Sequence, residues 1–208
     1  MRTGPINAAL LRTLSEERLT RYLVAADGDL DRALTVYERN LRLAEAFHTP
    51  LHCLEITLRN VIDDRLNAKY GPNWLRGAAP LDEDARLAIA RADNTLSHSP
   101  HTDGAIIAEL ALGFWVGLLG PRYDATLWRA TLYAGFGANG RGLRRSLVHG
   151  RMNALRRFRN RIAHHEPIFD RDLTLVHAEI LEAIAWMCPL TASWTAHHSR
   201  FDSVAAAL

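Results

Sequence analysis

The residues of this 208-residue chain best suited to chemistry stand together at positions 159 to 166: Arg159-Asn160-Arg161-Ile162-Ala163-His164-His165-Glu166. An arginine fork grips a phosphate at two points, and an imidazole exchanges protons near neutral pH. Together they suit cleavage of RNA. A general base takes the proton of the ribose 2′-OH, and that oxygen attacks the adjacent phosphate. Arg159 steadies the crowded phosphorane while an acid protonates the leaving 5′-oxygen. DNA lacks the nucleophile and would not react. The scheme requires neither metal nor cofactor. On a helix, Asn160 and His164 share a face, as do Arg161 and His165. Arg159 and His164 point about 140° apart on an ideal helix. They converge on one ligand only through the long arginine arm or through a loosened last turn, which Pro167 favours by opposing the helical state at Glu166. The helix C-terminus also favours a charged imidazole.

The motif ends a basic run. Arg141, Arg144, Arg145, Arg151, Arg156, Arg157, Arg159 and Arg161 fall within positions 141 to 161, which contain no Asp or Glu. Such a stripe concentrates polyanions, so Arg145, Arg151, Arg156, Arg157 and Arg161 are expected RNA contacts, with Arg59 as a further candidate. The formal net charge of only +2 adds little. Lys69 is the sole lysine, a bias toward arginine that GC-rich codon usage also produces.

The elements that must position these residues read as helices. Leu30, Leu34, Tyr37, Leu41 and Ala44 recur at steps of three and four, with Asp29 as N-cap. Thr49-Pro50 starts a second helix, Thr49 as cap, with Leu54, Leu58, Val61, Ile62 and Leu66 on its apolar stripe. Gly71-Pro72-Asn73 ends it, and a loop pinned by Trp74 runs to Pro80. A helix over Asp82 to Leu96 and a polar loop over Ser97 to Gly104 follow. Ile106 to Leu119 is apolar enough to form one buried helix, stopped by Gly120-Pro121. A short helix spans Asp124 to Leu132, and the glycines from Gly135 to Gly142 mark a break. The basic helix covers about 143–166, and another covers Asp170 to Cys188 with Leu173, Val176, Ile180, Ile184 and Met187 inward. A last short helix reaches His198. No segment shows strand alternation. The expected fold is an all-α bundle, a single domain over 1–208 with residues 189–208 as an appendage.

Other signals carry less. Gly137-Ala138-Asn139-Gly140 has no preceding strand and no P-loop register, so it is not a phosphate cradle. His164-His165-Glu166 and His197-His198 lack metal-ligand spacing. Cys53 and Cys188 form no metal or disulfide pattern, and both sit on apolar faces where a thiol is inert. Glu109, within an apolar helix, calls for a partner such as Arg129 or Arg59. Phe114, Trp115, Trp128, Trp186 and Trp194 read as packing residues. Glu55 and Arg59 stand four apart and can pair with each other; alternatively, Glu55 orients Arg159 or His164. Neither a signal peptide nor a membrane span is expected, which makes a cytoplasmic location the default.

Three segments together resemble a known family. The Arg159 to His164 string is similar to the Arg-x4-6-His signature of HEPN-fold ribonucleases. The run Leu155 to Pro167 resembles Abi-like proteins of phage abortive infection. So do Leu54-Glu55-Ile56-Thr57-Leu58-Arg59-Asn60-Val61-Ile62 and Glu109-Leu110-Ala111-Leu112-Gly113-Phe114-Trp115 with Tyr123 and Leu127-Trp128. The likeness covers about 30–188. It implies a HEPN-like helical bundle with extra peripheral helices, and a homodimer whose two motifs face each other across a composite RNA cleft. It also implies a metal-independent endoribonuclease serving as a toxin or defence effector. Arg159 and His164 carry over as catalytic, Asn160 as polar support and His165 as substitute. A non-catalytic RNA- or partner-binding HEPN module is the alternative. No regulatory domain is visible, so an antitoxin or regulatory partner is a candidate for control.

Overall fold

In the computed structural model, which describes residues 2–96, 101–138 and 140–208, residues 4–70 fold into α1 (Gly4–Leu14), α2 (Glu16–Ala25), α3 (Leu30–Ala46) and α4 (His48–Tyr70). The sequence pattern did not single out α1 and α2. Ser15 caps α2 by accepting from the Arg18 amide, and Asp29 caps α3 as expected. Thr49 does not cap α4. Phe47 keeps helical dihedrals (φ −77°, ψ −12°), so α3 passes into α4 through a single joint residue. Phe47 is fully buried, and its burial against Phe158 and Phe201 explains why the joint sits there. Leu51, Leu54, Leu58, Ile62 and Leu66 turn one stripe of α4 into the core.

Gly71 (φ 81°) ends α4. Trp74 is then buried and its indole donates to Asp63 Oδ1 at 2.7 Å, which pins the loop. α5 (Glu83–Thr95) is capped by Asp82. The expected loop from Ser97 to Gly104 lies partly outside the described residues, and Gly104 already belongs to the next helix.

The apolar run Ile106 to Leu119 forms two short helices instead of one, α6 (Asp103–Glu109) and α7 (Leu112–Leu118). Leu110 and Ala111 are extended between them, and the freed Leu110 carbonyl accepts the Trp115 indole N–H at 3.2 Å. Glycines at 113 and 117 weaken helical continuity further. Glu109 consequently faces solvent and needs no buried partner. Asp124–Trp128 is a wide π turn and Leu132–Gly135 a 3₁₀ turn, in place of one short helix.

A two-residue antiparallel pair, β1 (Gly137–Ala138) with β2 (Arg141–Gly142), occupies the glycine-rich break, where no strand was expected. Asn139 lies outside the described residues. α8 (Arg145–Ala163) then packs between α7 and α9 (Leu173–Ala185), and α9 also packs on α4. α10 (Pro189–His198) rests on α9 and α4, and α11 (Phe201–Ala206) buries Phe201 against Phe47. The fold is all-α. One large apolar cluster runs from Ala46 to Phe201, and a smaller one joins α1, α2 and α3 around Tyr22 and Leu34. Among the described residues no helix is long and apolar enough to cross a membrane.

Candidate active site

The end of α8 is closed by a specific turn. The His165 amide donates to Ile162 O at 3.0 Å, and the Glu166 amide donates to Arg161 O at 2.8 Å. This is a Schellman closure. His165 takes its left-handed position at φ 56°, a place usually given to glycine because a Cβ is strained there. The expected loosening before Pro167 does not occur. α8 stays helical through Ala163, so Arg159 and His164 leave it about 140° apart.

The two side chains have different surroundings. Arg159 Nη2 lies 3.3 Å from Glu55 Oε2 on α4, with the side chains 39% and 25% exposed. Glu55 therefore pairs with Arg159, not with Arg59, whose Nε is buried without a hydrogen-bond partner. His164 and His165 are both exposed, and neither imidazole makes a hydrogen bond or ion pair with the described residues. Asn160 is half-buried on the His164 side, and its carbonyl accepts the His164 amide at 2.9 Å.

Most of the basic stripe is engaged within the protein. Arg145 bonds Asp124 at 3.1 Å and the Leu119 carbonyl at 3.1 Å. Arg151 meets Glu182 at 2.7 Å and Glu179 at 3.3 Å, and its guanidinium lies over the Trp186 ring. Arg161 donates to the Pro167 carbonyl and lies 3.8 Å from both Glu166 and Asp170. Arg156 places Nε and Nη2 on Asn153 Oδ1 at 3.1 and 3.0 Å. The acids missing from the stripe itself are thus supplied by neighbouring elements. Among the described residues, Arg141, Arg144 and Arg157 are exposed without a carboxylate partner. The residues expected to contact RNA therefore separate: Arg145, Arg151 and Arg161 hold the fold, Arg157 is free, and Arg156 is half free.

Residues far away in sequence hold the histidine-bearing segment, and no local pattern marks them. Arg18 on α2 donates to the His165 carbonyl at 2.8 Å, and Arg21 bonds Asp170 at 2.7 Å. Burial works to raise the Asp170 carboxyl, but the Arg21 hydrogen bond and charge outweigh it, so its pKa is lowered. Buried Asn40 accepts the Ile168 amide at 2.8 Å. Tyr22 packs on Phe169, with ring centroids 5.1 Å apart.

The secondary candidates separate too. Trp115, Trp128 and Trp186 are buried and Phe114 packs edge-on to Trp115, whereas Trp194 is 56% exposed rather than packed. His197 and His198 lie on the exposed face of α10. Cys53 is buried; Cys188, before α10, has its thiol pKa lowered by hydrogen bonds at Thr191. Among the described residues no group of three or more His, Cys, Asp or Glu is placed to hold a metal ion.

No protein-family model, no curated protein and no solved structure matches this chain. The chemistry of the α8 terminus is what bears on a role.

Proposed function

We propose that the protein is a metal-independent endoribonuclease of HEPN type, acting as a toxin or phage-defence effector, with Arg159 and His164 as its catalytic residues. The observation that carries this reading is the held guanidinium. Glu55 fixes Arg159, still partly open to solvent, on the same helix end that presents two imidazoles free of partners. A fixed cation and an unengaged proton carrier are the two groups that 2′-OH attack requires. His164 takes the 2′-OH proton, the 2′-oxygen bonds to phosphorus, and Arg159 neutralises the phosphorane. The bond to the 5′-oxygen then breaks, and that oxygen accepts a proton from a second imidazole. The products are a 2′,3′-cyclic phosphate and a free 5′-hydroxyl.

One copy of α8 aims Arg159 and His164 apart, so the reading includes a homodimer in which one copy supplies the arginine and the other the histidine. The test is cleavage of RNA by wild type, Arg159→Ala and His164→Ala in the presence of EDTA, followed by mixing of the two variants. Wild-type cleavage, loss in each variant and partial recovery on mixing are expected. No cleavage by the wild type, or unchanged rates in both variants, would sink the reading.

A second reading rests on the internal pairing of Arg145, Arg151, Arg159 and Arg161. These pairs suit a non-catalytic RNA- or partner-binding module of a defence complex. Salt-dependent RNA binding without product would favour it.

A further inference from the structure

The left-handed turn that ends α8 is held from α2, and the group that holds it has donors to spare. Arg18 Nη1 donates to the His165 carbonyl at 2.8 Å. Among the described residues this is the one hydrogen bond of the Arg18 side chain, and no carboxylate pairs with it. Its Nε–Nη2 edge is therefore open, and such an edge takes two phosphate oxygens side by side. Arg18 is exposed, so a ligand reaches it. The neighbouring cations are engaged. Arg21, one turn along α2, bonds Asp170 at 2.7 Å. Arg161 donates to the Pro167 carbonyl and lies 3.8 Å from both Glu166 and Asp170. Burial, with Tyr37 adding to it, pushes the Tyr22 hydroxyl up to about 12, and the charges of Arg18, Arg21 and Arg161 oppose the rise. The three guanidiniums thus gather around one buried ring and face two carboxylates. The charge left unbalanced belongs to Arg18.

A backbone carbonyl fixes this charge without neutralising it. The cation so held stands at the segment that carries His164 and His165, whereas Arg159 leaves α8 in another direction and is paired with Glu55. We propose that Arg18 is a phosphate-binding residue of the RNA site, gripping a phosphate of the strand in the same copy that presents the two imidazoles. The strand then bridges α2 and the end of α8. The fork meets phosphate oxygens alone, so the contact is independent of base sequence. This assignment rests on the reading of the α8 terminus as an RNA site, and it requires binding there, not cleavage.

The test measures binding of the full chain to a short single-stranded 2′-O-methyl oligoribonucleotide, which has no free 2′-OH to attack with, at several salt concentrations. Arg18→Gln removes the charge. Arg18→Lys keeps a charge and a donor. Arg12→Gln is the control, since Arg12 on α1 is also exposed and has no partner among the described residues. Arg18→Gln should bind about tenfold more weakly, with the slope of log K against log salt reduced by about 1. Arg18→Lys should restore the slope, and Arg12→Gln should change neither quantity. A tether to the His165 carbonyl and nothing more would lower the melting temperature of Arg18→Gln without moving its salt slope. That result overturns the proposal, as does an equal fall in Arg12→Gln or a wild type that does not bind the strand. Cleavage of the matching unmodified RNA separates this contact from the ribonuclease reading. A wild type that binds without cutting, with the slope reduced in Arg18→Gln, supports the contact and sinks the ribonuclease. A wild type that cuts, with the same KM in Arg18→Gln, overturns the contact and leaves the ribonuclease standing.

Discussion

Glu55 Oε2 and Arg159 Nη2 meet at 3.3 Å, joining α4 to α8 across 104 positions of sequence. Both side chains are partly exposed, and a pair of this kind contributes only about 0–1 kcal/mol to stability. Its consequence is positional, because the carboxylate limits where the guanidinium can sit. Arg159→Ala is expected to lower RNA cleavage by about 100-fold or more. Glu55→Gln keeps the shape and loses the charge, and should lower the rate by about tenfold. Cleavage rates measured alongside thermal melting separate the two effects. Glu55 has no part in the site if Glu55→Gln cuts RNA at the wild-type rate.

His165 offers a clean way to tell the two histidines apart. Its φ of 56° is the αL position of a Schellman closure. Glycine adopts this conformation without the Cβ strain, so His165→Gly should preserve the turn and raise stability by about 1 kcal/mol. The imidazole disappears while the backbone that carries His164 stays in place. Retained cleavage in His165→Gly, with loss in His164→Ala, assigns the proton transfer to His164. The opposite pattern moves the assignment to His165.

Local pattern made the helices legible where a single amphipathic stripe governs them. The buried row on α4, the cap at Asp29 and the extent of α8 follow from spacing and capping alone. The break at Leu110-Ala111 was not legible, because an apolar run looks the same whether straight or bent. Its cause, the Trp115 indole on the Leu110 carbonyl, is a contact between side chain and backbone. The acid-free stripe misled for a related reason. Asp124, Glu179 and Glu182 neutralise it from elements distant in sequence. The hold of Arg18 on His165 spans 147 positions and leaves no trace in local composition.

His177 gives the fold a pH dependence. Its ring is buried between Phe47 and Phe201, stacks on Phe201 at 4.6 Å and bonds Ser199 Oγ at 2.9 Å. Burial lowers its pKa, and Asp202 raises it only in part. The unfolded chain therefore binds a proton at higher pH than the folded one. The contribution of His177 to stability is complete above the ordinary histidine value of about 6.5 and is lost as pH falls through the lower folded value. The melting temperature should drop between pH 7.5 and pH 5, and His177→Phe should flatten that drop. A pH dependence unchanged in the variant would show that another group carries it.

Arg151 and Arg157 stand six residues apart on α8 with opposite duties. Arg151 is 19% exposed, bridges to Glu179 and Glu182 and lies over Trp186, tying α8 to α9. Arg157 is exposed, with no partner among the described residues. Arg151→Ala leaves two carboxylates and an indole face uncovered, so a stability loss of about 1–3 kcal/mol is expected. Arg157→Ala should change stability by less than about 0.5 kcal/mol. If RNA is bound as proposed, a free cation on α8 releases counterions when it meets a phosphate. Its removal should weaken RNA binding regardless of base sequence and reduce the slope of log K against log salt by about 1. RNA titrations of both variants at several salt concentrations, paired with thermal melts, check this division. An unaltered salt slope in Arg157→Ala would place the RNA path elsewhere, on the side of α8 that carries Arg156 and Asn160.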